Sequence, residues 1–62
     1  MNKAEKQALV NALENCINRE NRLAARYIEL NPADKDRRER DRDLVIIGIQ
    51  SMYLEIKKQL EV

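Results

Sequence analysis

The chain of 62 residues has no histidine, tryptophan or phenylalanine, and only one cysteine, one glycine and one proline. Each shortage excludes something. A single thiol, Cys16, forms no internal disulfide, and one thiol without histidine cannot supply the four ligands of a structural zinc site. No histidine stands ready to act as a general base, and no glycine-rich loop is present to cradle a phosphate. One glycine and one proline provide too few turn signals for a β architecture, which needs them repeatedly. Aromatic residues are limited to Tyr27 and Tyr53. The longest apolar run, Leu44 to Ile49, is six residues, against the roughly 18 that a membrane span requires. Charge of one sign is lacking too: 12 basic and 11 acidic residues leave a net charge of +1, which argues against strong non-specific attraction to nucleic acid or membranes.

What is there is charge and patterned hydrophobicity. Charged residues make up 37% and hydrophobic ones 44%, and the second figure separates the chain from a disordered one because those residues are periodic. Asn2 is a good N-cap, with Glu5 three positions later completing a capping-box-like pair. Leu9, Leu13, Cys16, Leu23, Tyr27 and Leu30 then recur at alternating steps of four and three, broken once at Glu20. That spacing predicts a packed helical seam, with Cys16 in it as a small buried hydrophobe. Val10, Ile17, Ala24 and Ile28 form a second stripe beside the first, so the apolar face is wider than one neighbouring helix would use.

Asn31-Pro32 predicts the break. The residue before a proline is pushed out of the α region, while Pro32 suits the first position of a new helix with Asn31 as its cap. The expected architecture is all-α: one domain over residues 1–62, with a helix at about 3–30, a turn at 31–32 and a helix at about 33–60. So short a connection makes the two helices an antiparallel hairpin. Folding about Asn31 sets Leu13 against Ile49, Leu9 against Tyr53 or Met52, and Glu20 against Arg42.

The second helix is expected to be charged from Asp34 to Asp43 and then apolar around most of its circumference, through Leu44, Val45, Ile46, Ile47, Ile49, Met52, Tyr53, Leu54 and Ile56. A helix apolar on more than one side is covered on more than one side. The hairpin is therefore expected to dimerise into a four-helix bundle, with Leu9, Leu13, Cys16, Val45, Ile46, Ile49, Met52, Tyr53 and Ile56 in the oligomer core. Gly48, about 1 kcal/mol less favourable than alanine in a helix, is expected to let another helix approach near Ser51 and Ala12.

The charged run is expected to be laced by pairs such as Asp34/Arg38, Asp36/Arg40 and Arg37/Asp41. Within it, Lys35, Arg38 and Arg42 continue the apolar stripe and would lie beside Leu23, Tyr27, Ile28 and Leu30. Apolar side chains beside arginine are typical of protein interfaces, and these seven residues form the expected partner-binding face. The first nine residues, Met1 to Leu9, resemble the opening of the Rop family of plasmid copy-number RNA-binding proteins. Carrying that family's core positions along the chain lands on Asn15, Arg19, Arg22, Arg26 and Glu29, all polar. The likeness therefore implies a helix-turn-helix layout by analogy and does not extend to membership.

Together these features predict a non-enzymatic protein without cofactor or metal. Its expected function is that of a small adaptor or inhibitor of the phage, plasmid or bacterial regulatory type, acting on an unidentified protein through a helical face. Two alternatives stand beside it. One is an RNA- or nucleotide-binding hairpin dimer using the arginines of residues 35–42, Arg37, Arg38, Arg40 and Arg42; the other is a pure oligomerisation element. The solitary cysteine and an opening without the apolar core of a signal peptide place the expected site of action in the cytoplasm.

Overall fold

The structure, a computed structural model, describes residues 1–61. It holds two helices, α1 (Lys3–Leu30) and α2 (Lys35–Leu60), joined through a 3-10 turn at Pro32–Asp34. Their ends follow from the sequence. The Glu5 amide donates to Asn2 Oδ1 at 2.8 Å, which satisfies one of the orphan donors of the first turn. At the far end, the Asn31 amide donates to the carbonyls of Tyr27 and Ile28, and Asn31 Nδ2 donates to the Tyr27 carbonyl at 3.0 Å. Asn31 was expected to cap the second helix; its side chain instead closes the first. Its own carbonyl accepts from the Asp34 amide, making the tight turn from which α2 departs at Lys35, two residues later than the sequence reading has it.

The side of α1 turned to α2 carries Lys6, Val10, Leu13, Ile17, Glu20, Ala24 and Tyr27, an unbroken alternation of four and three. Its counterpart on α2 is Arg38, Arg42, Ile46, Ile49, Tyr53, Ile56 and Leu60. The seam therefore runs along what the sequence reading takes as the second stripe of α1. Glu20, read as a break in the first stripe, is a member of it, and so are Leu13 and Tyr27, read into the first stripe. Ala24 is fully buried.

This shift corrects the expectation for Cys16. It is exposed, because α2 passes over Leu13 and Ile17 and leaves the flank on which Cys16 stands. Val45 and Met52, expected in the oligomer core, likewise lie on a flank and stay uncovered within the chain. Leu9, Ile46, Ile49, Tyr53 and Ile56 are half-buried, and Leu13 is buried.

The resulting body is a rod of 45 × 15 × 14 Å. Its radius of gyration is 14.3 Å, against about 11 Å for a compact domain of this length. Among the described residues only Val10, Leu13 and Ala24 are buried hydrophobic residues, and no large side chain is fully enclosed. Two helices side by side have no interior, only a line of contact.

Candidate interaction surfaces

The turn end is fastened by a polar cluster. Tyr27 Oη donates to Asp34 Oδ2 at 2.7 Å, and Arg37 Nη2 donates to the same carboxylate at 3.0 Å and to Tyr27 Oη at 3.2 Å. The hydrogen bond from Tyr27, followed by that from Arg37, holds the Asp34 carboxyl below the usual carboxylate range. The bond to Asp34 in turn raises the Tyr27 phenol above its ordinary value, and Asp34 also raises Arg37.

At the next residue of α2, Arg38 Nη1 meets Glu20 Oε1 at 2.8 Å, both side chains being more than four-fifths covered. The expected partner of Glu20 was Arg42, which instead bonds the neighbouring Asp43 at 3.0 Å. Arg38 and Arg42 stand on the same side of α2 one turn apart, within the reach of a long guanidinium side chain, so periodicity alone does not choose between them. Of the ladder pairs expected in the charged run, Arg37/Asp41 is present at 3.7 Å. Asp34 pairs with Arg37 and not Arg38, and Lys35 approaches Glu39 at 3.9 Å.

These pairings divide the expected partner-binding face. Lys35, Arg38 and Arg42 all have carboxylate neighbours within the chain. Tyr27 and Ile28 are half-buried, whereas Leu23 and Leu30 are open to solvent. The arginines in no ion pair among the described residues lie off this face: Arg40, exposed on α2, and three on α1. Arg19, Arg22 and Arg26 are exposed on the back of α1, in no ion pair, continuing a row begun by Asn11 and Asn15. Their spacing of three and four was legible in the sequence, but their freedom shows only once the competing arginines find partners.

The two long sides of the rod differ. On one, Tyr53 Oη donates to Glu14 Oε1 at 2.9 Å, and Lys57 Nζ donates to Tyr53 Oη at 3.1 Å while lying 5.3 Å from the ring centroid. The bond to Tyr53 raises the Lys57 ammonium above its ordinary value. This side is polar along α1, through Glu14, Asn18 and Asn21. On the other side the flanks of both helices are apolar: Leu9, Cys16 and Leu23 from α1, Val45 and Met52 from α2.

A further apolar row runs along the outer edge of α2, turned away from α1. Leu44, Ile47 and Leu54 are 69, 60 and 62% exposed, and Ser51 sits between them with its hydroxyl bonded back to the Ile47 carbonyl. Arg40 and Lys58 continue the row at either end at the same spacing. No helix of this chain closes on Gly48; a Cβ added there would meet nothing within 4 Å. Surface depressions are shallow and lie at the ends or edges of the rod, one lined by Leu54, Lys57, Lys58 and Glu61. Among the described residues no group of three or more metal-ligating side chains comes together, and no helix is long and apolar enough to cross a membrane.

No protein-family model, no curated protein and no solved structure matches the chain.

Proposed function

We propose that this protein is a small non-enzymatic adaptor or inhibitor that dimerises and binds another protein through the outer edge of α2. The observation that carries the reading is the row Leu44, Ile47 and Leu54, each at least 60% exposed on a helix whose opposite face is already used by the hairpin. Large apolar side chains grouped in one row and rimmed by charge mark interaction sites, whereas scattered ones do not. Basic residues at both ends of the row, Arg40 and Lys58, favour an amphipathic helix whose apolar face is bordered by carboxylates. Occlusion is the mechanism: a rigid helix edge covers a surface that the partner needs.

The test pairs the wild-type chain with an Ile47→Glu/Leu54→Glu variant. A partner purified on the wild type should bind with little dependence on salt and lose affinity for the variant by 100-fold or more, about 2.7 kcal/mol. Equal affinity for both would sink the assignment.

A second reading has an observation of its own. The unpaired Arg19, Arg22 and Arg26 on the back of α1 suit a nucleic-acid backbone better than Arg37, Arg38 and Arg42, each of which is already paired with a carboxylate. Binding to a homopolymer RNA that falls steeply between 50 and 200 mM salt would favour it.

A further inference from the structure

We infer that the second copy docks on the apolar side of the rod, in an antiparallel two-fold arrangement that brings Cys16 against its own symmetry mate. The inference rests on the dimeric reading above and specifies its geometry.

The first observation is that both helices turn an apolar flank to the same side. Glu14, Tyr53 and Lys57 fix which side is polar. On α1, Leu9, Cys16 and Leu23 lie on the flank opposite Glu14; on α2, Val45 and Met52 lie on the flank opposite Lys57. Each set is spaced by seven residues, the interval at which a helix returns nearly to the same face and at which packed helices present successive knobs. Within the chain only Leu9 of these five is half-buried, and the other four are exposed.

The second observation is one of level. Leu9 and Leu23 stand at equal distances on either side of Cys16, and Val45 and Met52 stand almost equally about Gly48. Cross-hairpin bonds show how the two helices align. Glu14 reaches Tyr53 and Glu20 reaches Arg38, so Cys16, between the two glutamates, is level with the stretch between Arg38 and Tyr53 that contains Gly48. A two-fold axis perpendicular to the rod must pass both helices at one height. The centre of the second row thus falls within the stretch of α2 level with Cys16. An axis there sets Leu9 against the partner copy's Leu23, Val45 against its Met52, and Cys16 against Cys16.

Area agrees with this occupant. A face of 45 by 15 Å spans roughly 700 Å², close to the ~800 Å² per partner of a standard stable interface. A parallel dimer would instead lay α1 over the partner's α2 and leave the two thiols apart.

The wild-type chain supplies its own probe, since Cys16 is the only cysteine. Copper(II)–phenanthroline is the oxidant: each pair of thiols gives up two protons and two electrons and forms one S–S bond, and two Cu(II) are reduced to Cu(I). Wild type at a concentration where sedimentation shows dimer should convert to a disulfide-linked dimer within minutes, with unchanged helical circular dichroism. In a Cys16→Ser background, Leu9→Cys alone should not crosslink, because its two copies would stand about 21 Å apart. Leu23→Cys alone should behave in the same way, whereas a mixture of the two chains should crosslink. Val45→Glu/Met52→Glu should raise the dissociation constant by about 100-fold. Ile47→Glu/Leu54→Glu should leave it unchanged. A dimer that fails to link through Cys16, or links through Leu9→Cys alone, overturns this geometry while the adaptor reading stands. A monomer at every concentration overturns the dimer altogether, and loss of partner binding by a chain that still links through Cys16 concerns only the function.

Discussion

Glu20 and Arg38 show how one polar pair shapes a thin contact. Their side chains are 16 and 18% exposed and meet at 2.8 Å across the seam. Removing one partner strands the other, so Glu20→Ala should destabilise the hairpin by about 1–3 kcal/mol in urea unfolding. Replacing both by leucine is expected to be neutral or stabilising, because the desolvation penalty of two ions disappears with their attraction. A double variant as unstable as Glu20→Ala would show that the pair does more than fill the seam. The turn cluster makes a pH statement. Asp34 has its folded value depressed, so its contribution is complete above the ordinary carboxylate value near 4 and is lost as pH falls through the lower folded value. Tyr27 has its value raised, so its contribution is complete below about 10 and is lost as pH rises through the folded value. In a Tyr53→Phe chain, the phenolate absorbance of Tyr27 should therefore emerge above pH 10, and Asp34→Asn should bring it back down. Titration at the ordinary value in the parent would refute the Tyr27–Asp34 bond.

At the scale of elements, α1 and α2 are built differently. α1 keeps polar residues along its back and on the flank around Glu14, and apolar ones on the seam and the opposite flank. α2 is apolar on the seam, on the flank carrying Val45 and Met52, and again on its outer edge. The helix has nothing polar between Leu44 and Ile49, and its single glycine falls inside that run. Gly48→Ala should raise stability by about 1 kcal/mol in thermal unfolding at a fixed low concentration, since the added Cβ meets nothing within 4 Å. A loss instead of a gain would reveal a neighbouring chain already filling that space. Asn31 is the element boundary whose outcome differs from the sequence reading. Its amide and side chain go to the carbonyls of Tyr27 and Ile28, because the last carbonyls of α1 are otherwise unpaired, while Pro32 needs no cap on a nitrogen that carries no hydrogen.

For the whole molecule, the governing quantity is surface. A chain this short buries only about 60% of the surface it exposes when unfolded, and a two-helix rod has no third layer to bury more. Leu30 and Leu44 remain 69% exposed. Stability is then expected to depend on protein concentration, because a second copy binds only the folded form. The midpoint of thermal unfolding should rise by several degrees over a hundredfold increase in concentration. A midpoint that does not move would mean that the hairpin is stable alone and that the proposed apolar side is unused.

The two helices, their ends near Lys3, Leu30 and Leu60, and the break at Asn31-Pro32 were all legible in the residues, because capping, proline geometry and a period near 3.6 act locally along the chain. Tertiary structure decided which of two adjacent stripes on α1 became the seam. Val10, Ile17 and Ala24 lie a fraction of a turn from Leu9, Cys16 and Leu23, and only the direction in which α2 leaves the turn selects between them. The same choice exposed Cys16, gave Glu20 to Arg38 instead of Arg42, and left Arg19, Arg22 and Arg26 unpaired. Local patterns fix where a helix forms; which side of it faces its neighbour is set by packing, which no single segment contains.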